Sequence, residues 1–408
     1  MTEIYIAPTN TRGGMFRSLK YFNAKLFFLG LLLSNIGSWI QLTATSFLLY
    51  RLTGNATDLG INVALQFLPM LLLGAWAGAV SDRHNRRTMT IVTQSLLAAQ
   101  ALTIGVLDLT GHINLPTVYV LSGLLGIVGA IDNPARRGLV TELVPPVDMS
   151  NAMSLNTAVM TGSRIFGPAL AAVLVGPLGT GWLFIANGVS FAAMLLGLFG
   201  LRRNEMHTPP PRPAGGTPVR DALRYVRNNE RLLVLFIAFT VVSTFAFNYS
   251  VVLPKLADDS WGNPRAFGWI LAVTSVGSLL GSLFTARMHR VTTGWVMGNI
   301  WILGISNIAM AWSPNLWWAY MCAVPLGFGG AAMIAGANSI TQEEAPPDMR
   351  GRLLALTAVA FLGSTPIGGP ITGWIADHVS ASWSLGYGGI IATGSGLFMF
   401  VWMKRSVA

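Results

Sequence analysis

Eight stretches of this chain, residues 26–50, 59–81, 88–107, 113–131, 232–254, 266–286, 353–376 and 379–403, contain no Asp, Glu, Lys, Arg or His. Each matches the roughly 20 residues an α-helix needs to cross about 30 Å of hydrocarbon. Two longer uncharged tracts, 165–201 and 291–342, need more than one crossing apiece. A helix in water keeps a charged face toward solvent, and these have none. The expected fold class is therefore an all-α membrane protein. Only 10% of the residues are charged, against about 25% in soluble domains. The net charge of +10 then reads as basic loops at a membrane surface, not as a nucleic-acid partner.

Turn residues divide the long tracts. Gly176-Pro-Leu-Gly-Thr-Gly181 separates helix 5, starting near Asn151, from helix 6 over 182–201, and Ser313-Pro-Asn315 separates 294–312 from 316–338. Helices 1 to 4 are expected near 26–50, 58–80, 88–108 and 116–134, helix 7 over 231–254, helix 8 over 266–286, and helices 11 and 12 over 352–376 and 383–403. Twelve crossings result. Residues 1–201 form an N-terminal six-helix bundle, 202–230 a linker with a proline-rich run at 207–218, and 231–408 a C-terminal six-helix bundle. The first apolar run carries no cleavage site behind it and is expected to stay as a helix. The one cysteine, Cys322, excludes a disulfide framework.

With twelve crossings both termini share a face, and 22 of the 26 Lys and Arg residues fall on loops of that face. Arg51, Lys255 and Arg265 lie opposite, and Arg164 falls within a span. This asymmetry predicts cytoplasmic termini and residence in the cytoplasmic (inner) membrane. The halves also repeat at an offset of about 201 to 204 residues. Leu19-Lys-Tyr21 matches Leu223-Arg-Tyr225, Gly74/Gly78 match Gly277/Gly281, Pro145-Pro-Val-Asp-Met149 matches Pro346-Pro-Asp-Met349, and Gly167-Pro168 matches Gly369-Pro370. Two parallel repeats around a central cavity suit alternating access; a channel would more naturally be a ring of subunits.

Between helices 2 and 3 stands Gly78-Ala-Val-Ser-Asp82-Arg83-His-Asn-Arg86-Arg87. This resembles the loop signature of the major facilitator superfamily, with Asn85 where that family usually has glycine; asparagine also tolerates a left-handed turn. The resemblance covers the whole chain and implies two pseudo-symmetric bundles of six helices. Gly78, with Gly74, is expected to permit close helix approach. Asp82 is expected to face the N-terminus of helix 11, flanked by Arg350 and Arg352, as a latch; the alternative is a solvated acid in a basic loop. Gly162-Ser-Arg164-Ile-Phe-Gly167-Pro168 is similar to the helix 5 motif of drug-exporting antiporters, and Pro168 is expected to bend the helix. Within the superfamily the resemblance is to macrolide efflux and enterobactin export proteins, through Asn133-Pro134-x-Arg136, Met349-Arg-Gly-Arg352 and Pro366-Ile-Gly-Gly369.

Arg164 is the basic residue deep in a span, where a charge costs at least about 2.5 kcal/mol and faces the bundle interior. Asp132 on helix 4 is its expected ion-pair partner and the expected proton-coupling group; substrate contact and snorkelling are the other readings of Arg164. Asn35, Trp39 and Thr43 share one face of helix 1, Thr244 and Asn248 one face of helix 7, and Asn338 ends helix 10. These are the expected cavity residues, with interhelical hydrogen bonding as the competing role. The resemblance implies proton-coupled export of an amphipathic small molecule by a monomer. Uptake or lipid flipping on the same fold are the alternatives. No catalytic constellation, nucleotide loop, cofactor or metal site is expected.

Overall fold

A computed structural model describes residues 16–207, 218–263, 266–346, 349–362 and 365–407; the side chains of Ala75, Asp82, Pro218, Val219, Leu362, Arg405, Ser406 and Val407 lie outside that description. Lipid offers no hydrogen bonds, so each uncharged run satisfies its own backbone as helix. In chain order the α-helices are α1 Phe22–Thr53, α2 Ala56–Arg83, α3 Arg86–Leu109, α4 Leu115–Val140, α5 Met149–Phe199, α6 Pro218–Asn228 and α7 Glu230–Phe245. There follow α8 Tyr249–Trp261, α9 Ala266–Ala286, α10 Thr293–Ala311, α11 Leu316–Glu344, α12 Arg350–Leu362, α13 Thr365–His378 and α14 Ala381–Val407.

Among the described residues, eleven helical stretches are long and apolar enough to span a membrane. One of them, Pro146–Phe199, has 54 residues and a contour near 80 Å, two crossings' worth. It is interrupted at one residue, Gly179, at φ 77°, a conformation glycine adopts without penalty. Twelve crossings follow, as the sequence predicts. The ends are capped by side chains that also repeat. Asn85 and Thr292 accept from Thr88 and Trp295 N–H, and Asn114 and Asn315 from Thr117 and Trp318 N–H. Gly54 and Gly262 close α1 and α8 in the left-handed conformation.

Three expectations are corrected. The seventh crossing is not continuous, because α7 ends at Phe245 and α8 starts at Tyr249. The connector is not wholly linker, since α6 buries Ala222 and Val226 in the core of the C-terminal helices. Asn85 is no left-handed turn; it sits at φ −65°, ψ 110° as the N-cap of α3.

In the first half α1 packs on α5, α2 on α4, and α3 on both α4 and α5; in the second α9 and α10 pack on α11, and α14 on α10 and α7. The main seams between halves are α2 with α13 and α5 with α9. Under the sequence repeat these two seams exchange, as two pseudo-symmetric bundles require. A cavity lies between the halves.

Candidate functional site

The cavity has a volume of about 420 Å³ and is walled by α1, α2, α5, the α7–α8 break, α9, α11, α12 and the start of α13. The break contributes Phe247 and Asn248, and the start of α8 Tyr249 and Ser250. Irregular backbone at membrane depth survives only when buried in protein or lining a cavity, and here it does both. The Asn248 amide donates to the Thr244 carbonyl at 2.5 Å and the Asn307 amide to the Ala246 carbonyl at 3.2 Å, which satisfies the carbonyls the break sets free. Gly368 of α13 lies against the Thr244 carbonyl, where any Cβ would collide.

Arg164 carries the one formal charge among the lining residues. Its guanidinium lies 4.6 Å from the Phe361 ring centroid and 5.6 Å from that of Trp39, so aromatic faces from both halves flank it. Of the residues expected from sequence, Trp39, Thr43, Asn248, Asn338, Arg164 and Pro168 line the cavity. Gly167 packs on Trp39 and α1, where a Cβ would collide. Asn35 and Thr244 do not line it. Asn35 is 5% exposed, accepting from Arg136 at 3.2 Å and meeting Met160 Sδ at 2.7 Å; the Thr244 hydroxyl is spent on the Thr240 carbonyl at 2.7 Å.

The expected Asp132–Arg164 pair does not form. Asp132, 2% exposed, pairs with Arg136 one turn along α4 at 3.0 Å, and accepts from Thr93 at 2.7 Å and Gln94 at 2.9 Å. This network joins α1, α3 and α4 inside the first half, away from the cavity wall. Sequence reasoning also missed Phe361 and the hydroxyl stripe Thr274, Ser278 and Ser282 on α9, all in the lining. The four-residue spacing of that stripe was the available signal.

On the face carrying Gly54 the halves are shut. Asp377, at the end of α13, accepts from the Ala56 and Thr57 N–H groups at 3.0 and 2.7 Å, capping α2 from the other half. The Thr57 hydroxyl adds a bond at 2.5 Å and Lys255 an ion pair at 3.1 Å. Gly60, Gly369 and Gly373 let the two backbones touch; a Cβ at Gly60 or Gly373 would strike a carbonyl of the opposite helix. Tyr50 donates to Asp258 at 2.8 Å, and Phe47 packs on Phe267 with centroids 4.7 Å apart.

The face carrying the chain ends is different. A Cβ on Gly74, Gly78 or Gly351 would meet nothing within 4 Å among the described residues, so the close approach expected of Gly74 and Gly78 is absent in this arrangement. Their repeat equivalents Gly277 and Gly281 do pack tightly, on α11. The Asp82 side chain, the centre of the expected latch, lies outside the described residues. Its loop neighbours have other duties. Arg86 pairs with Glu142 at 3.0 Å, and Arg87 donates to the carbonyls of Leu198 and Phe199 at the end of α5. Arg83 is exposed. Burial raises the Glu142 carboxyl above its ordinary pKa, with Arg86 pulling the other way. Arg350 donates to the Ala345 carbonyl at 3.4 Å, and Arg352 faces Asp221 of α6 at 3.8 Å. Asp82 and Asp377 end the same pattern, Gly74-x3-Gly78-x3-Asp82 on α2 and Gly369-x3-Gly373-x3-Asp377 on α13.

A family profile described as transmembrane secretion effector matches residues 16–406. The multidrug efflux pump Tap of Mycolicibacterium fortuitum is 26% identical over 359 residues, covering 85% of this chain and 87% of that one. Macrolide efflux protein A of Streptococcus pyogenes is 23% identical over 386 residues, covering 91% and 95%. The crystal structure of a bacterial homologue of the human lysosomal transporter Spinster superposes with a TM-score of 0.67 at 14% identity, over 93% of this chain and 94% of that one. With twelve crossings, repeated seams and a full-length family match, the chain belongs to the transmembrane secretion effectors of the major facilitator superfamily, and is a multi-pass membrane transporter, not an enzyme.

Proposed function

We propose that this protein exports an amphipathic small molecule by alternating access, in exchange for protons, as a monomer in the bacterial cytoplasmic membrane. The carrying observation is a central cavity whose walls come from both halves, sealed toward Gly54 by the α2–α13 seam. Residues 1–201 and 231–408 act as two rocking bodies joined by 202–230. The basic face holding both termini is the cytoplasmic one, so the present arrangement opens inward. Efflux as the direction rests on the relatives, among them a multidrug pump and a macrolide efflux protein.

The gate is an exchange of helix caps. Outside, Asp377 caps α2; inside, Asp82 caps α12 beside Arg350 and Arg352 once the cavity faces outward, with Gly74 and Gly78 then closing on α12. Either cap sets a carboxylate against a helix N-terminus, worth about 0.3–1 kcal/mol from the dipole and more when partly buried. Asp132 is the coupling carboxylate; its protonation releases Arg136 and loosens α1 through Asn35.

The test has two stages. A drug-susceptibility and metabolite screen of knockout and overexpressing cells finds a transported compound. Inverted vesicles then measure its proton-driven uptake, with Asp82→Asn and Asp132→Asn. Both variants are expected to insert normally and lose most transport. Wild-type rates in Asp82→Asn dispose of the cap exchange, and uptake indifferent to the proton gradient disposes of the coupling.

A further inference from the structure

Arg164 is a cation with an unmet demand. Among the described residues no carboxylate lies within ion-pair distance of it and no chain oxygen accepts from it; its neighbours are the rings of Trp39 and Phe361. Such a charge in a membrane protein carries a desolvation cost that a counter-ion normally offsets. What it exposes is cavity wall. Neither ring supplies an oxygen, so the N–H fork, the part that matches a carboxylate bidentately, has no protein oxygen to donate to among the described residues.

The remainder of the wall agrees. Among the described residues neutral groups supply every other polar contact, and no lining residue is acidic. The Thr161 and Tyr249 hydroxyls and the Asn338 amide make no hydrogen bond within the chain among the described residues. They are free to donate to a second oxygen. Leu42, Phe67, Phe267 and Ile334 provide apolar wall. A cationic guest would meet Arg164 with no carboxylate to offset the repulsion. A neutral guest would leave the guanidinium unpaired.

We infer that the cavity selects anionic amphiphiles, with a substrate carboxylate docking on the Arg164 fork and its apolar body against the α9–α11 wall. This rests on the reading of the cavity as the substrate site. The Trp39 and Phe361 contacts hold the fork from both halves, so a bound carboxylate also ties the halves together.

The test uses full-length protein in nanodiscs and three dansyl probes on one eleven-carbon chain: 11-(dansylamino)undecanoic acid, its methyl ester and the matching primary amine. Binding is read from dansyl fluorescence with empty nanodiscs subtracted. The acid is expected to bind about 10- to 100-fold more tightly than the ester, the range of a charge-assisted hydrogen-bonded pair, and the amine more weakly still. Arg164→Gln should erase the preference, and Arg164→Lys, which keeps the charge but not the fork, should retain part of it. A plugging variant, Ser278→Trp, should abolish binding of all three. Equal binding of acid and ester, a preference for the amine, or no binding of the acid at millimolar concentration overturns the inference. If Ser278→Trp leaves binding untouched, the cavity itself is not the site and the reading beneath it fails.

Discussion

Replacing Asp377 with asparagine keeps the side chain's shape and removes its charge, so it weakens the closure beside Gly54 without carving a hole. The carboxylate accepts three hydrogen bonds from Ala56 and Thr57 and faces Lys255, with side chains 11% and 18% exposed for Asp377 and Lys255. Asparagine keeps one acceptor oxygen and turns a donor toward an N–H that then has none. Loss of a helix cap costs about 0.5–2 kcal/mol, and a partly buried ion pair adds about 1 kcal/mol. A total of about 1.5–3 kcal/mol moves the balance between closed and open forms of this face by roughly 10- to 150-fold. Spin labels at His112, on the α3–α4 turn, and Val379, after α13, report that balance on a Cys322→Ser background; both positions are exposed. Pulsed dipolar spectroscopy in nanodiscs should show a longer-distance population growing in Asp377→Asn. An unchanged distribution would refute the account of the closure.

Three further outcomes are expected. Gly373→Val puts branched carbon where the Ala56 carbonyl sits, so the outer face should fail to close, and thiol labelling of a cysteine at Thr57 should rise well above that of the same cysteine with Gly373 intact. Asp132→Asn leaves Arg136 buried without its partner; that costs about 3 kcal/mol and should show as a lower unfolding temperature. Asn85→Ala removes the α3 cap at about 0.5–2 kcal/mol and should lower thermal stability while Asn85→Gly costs only a few tenths, with transport kept in both; a large transport loss in Asn85→Gly would mean the loop needs more than a cap.

The crossings were legible because charge exclusion is a property of the sequence alone. Hydrocarbon thickness sets the length of each run, and turn residues such as Gly179 and Asn315 mark the ends. The break at residues 246–248 was not legible. Phe245-Ala-Phe-Asn-Tyr-Ser250 contains neither glycine nor proline, and helix propensity alone would carry through it. Much of what holds the break is tertiary: the Asn307 amide takes the Ala246 carbonyl and Gly368 admits α13 against that of Thr244, while Asn248 adds a local bond to the Thr244 carbonyl. Arg164 was recognisable as a residue that must face inward, but its partner was not. Asp132 has Arg136 one turn away on its own helix, and an i,i+4 pair forms more readily than one between helices. Asn35 and Thr244 shared helical faces with true lining residues; their side chains were claimed by Arg136, Met160 and Thr240, contacts that spacing cannot reveal.

Under the proposed cap exchange, the repeated Gly-x3-Gly-x3-Asp pattern puts the switching carboxylates on α2 and α13. In the α5–α9 seam the corresponding glycines are turned to their own halves, Gly167 onto α1 and Gly277 and Gly281 onto α11, and neither α5 nor α9 carries an acid. At that seam Gly268 packs against Ala172, and among the described residues no ion pair joins α5 to α9. Asp377 caps α2 on the face carrying Gly54; under the proposed exchange Asp82 would cap α12 on the opposite face, so the two caps would oppose each other about the cavity between them. Asp82→Asn should therefore move the His112–Val379 distribution toward the closed outer form, opposite to Asp377→Asn. Because on that proposal both variants delete the same kind of contact, the double variant should return close to the wild-type distribution. Additive displacement in one direction, or a double variant that behaves as Asp377→Asn alone, would show that the inner acid takes no part in the balance.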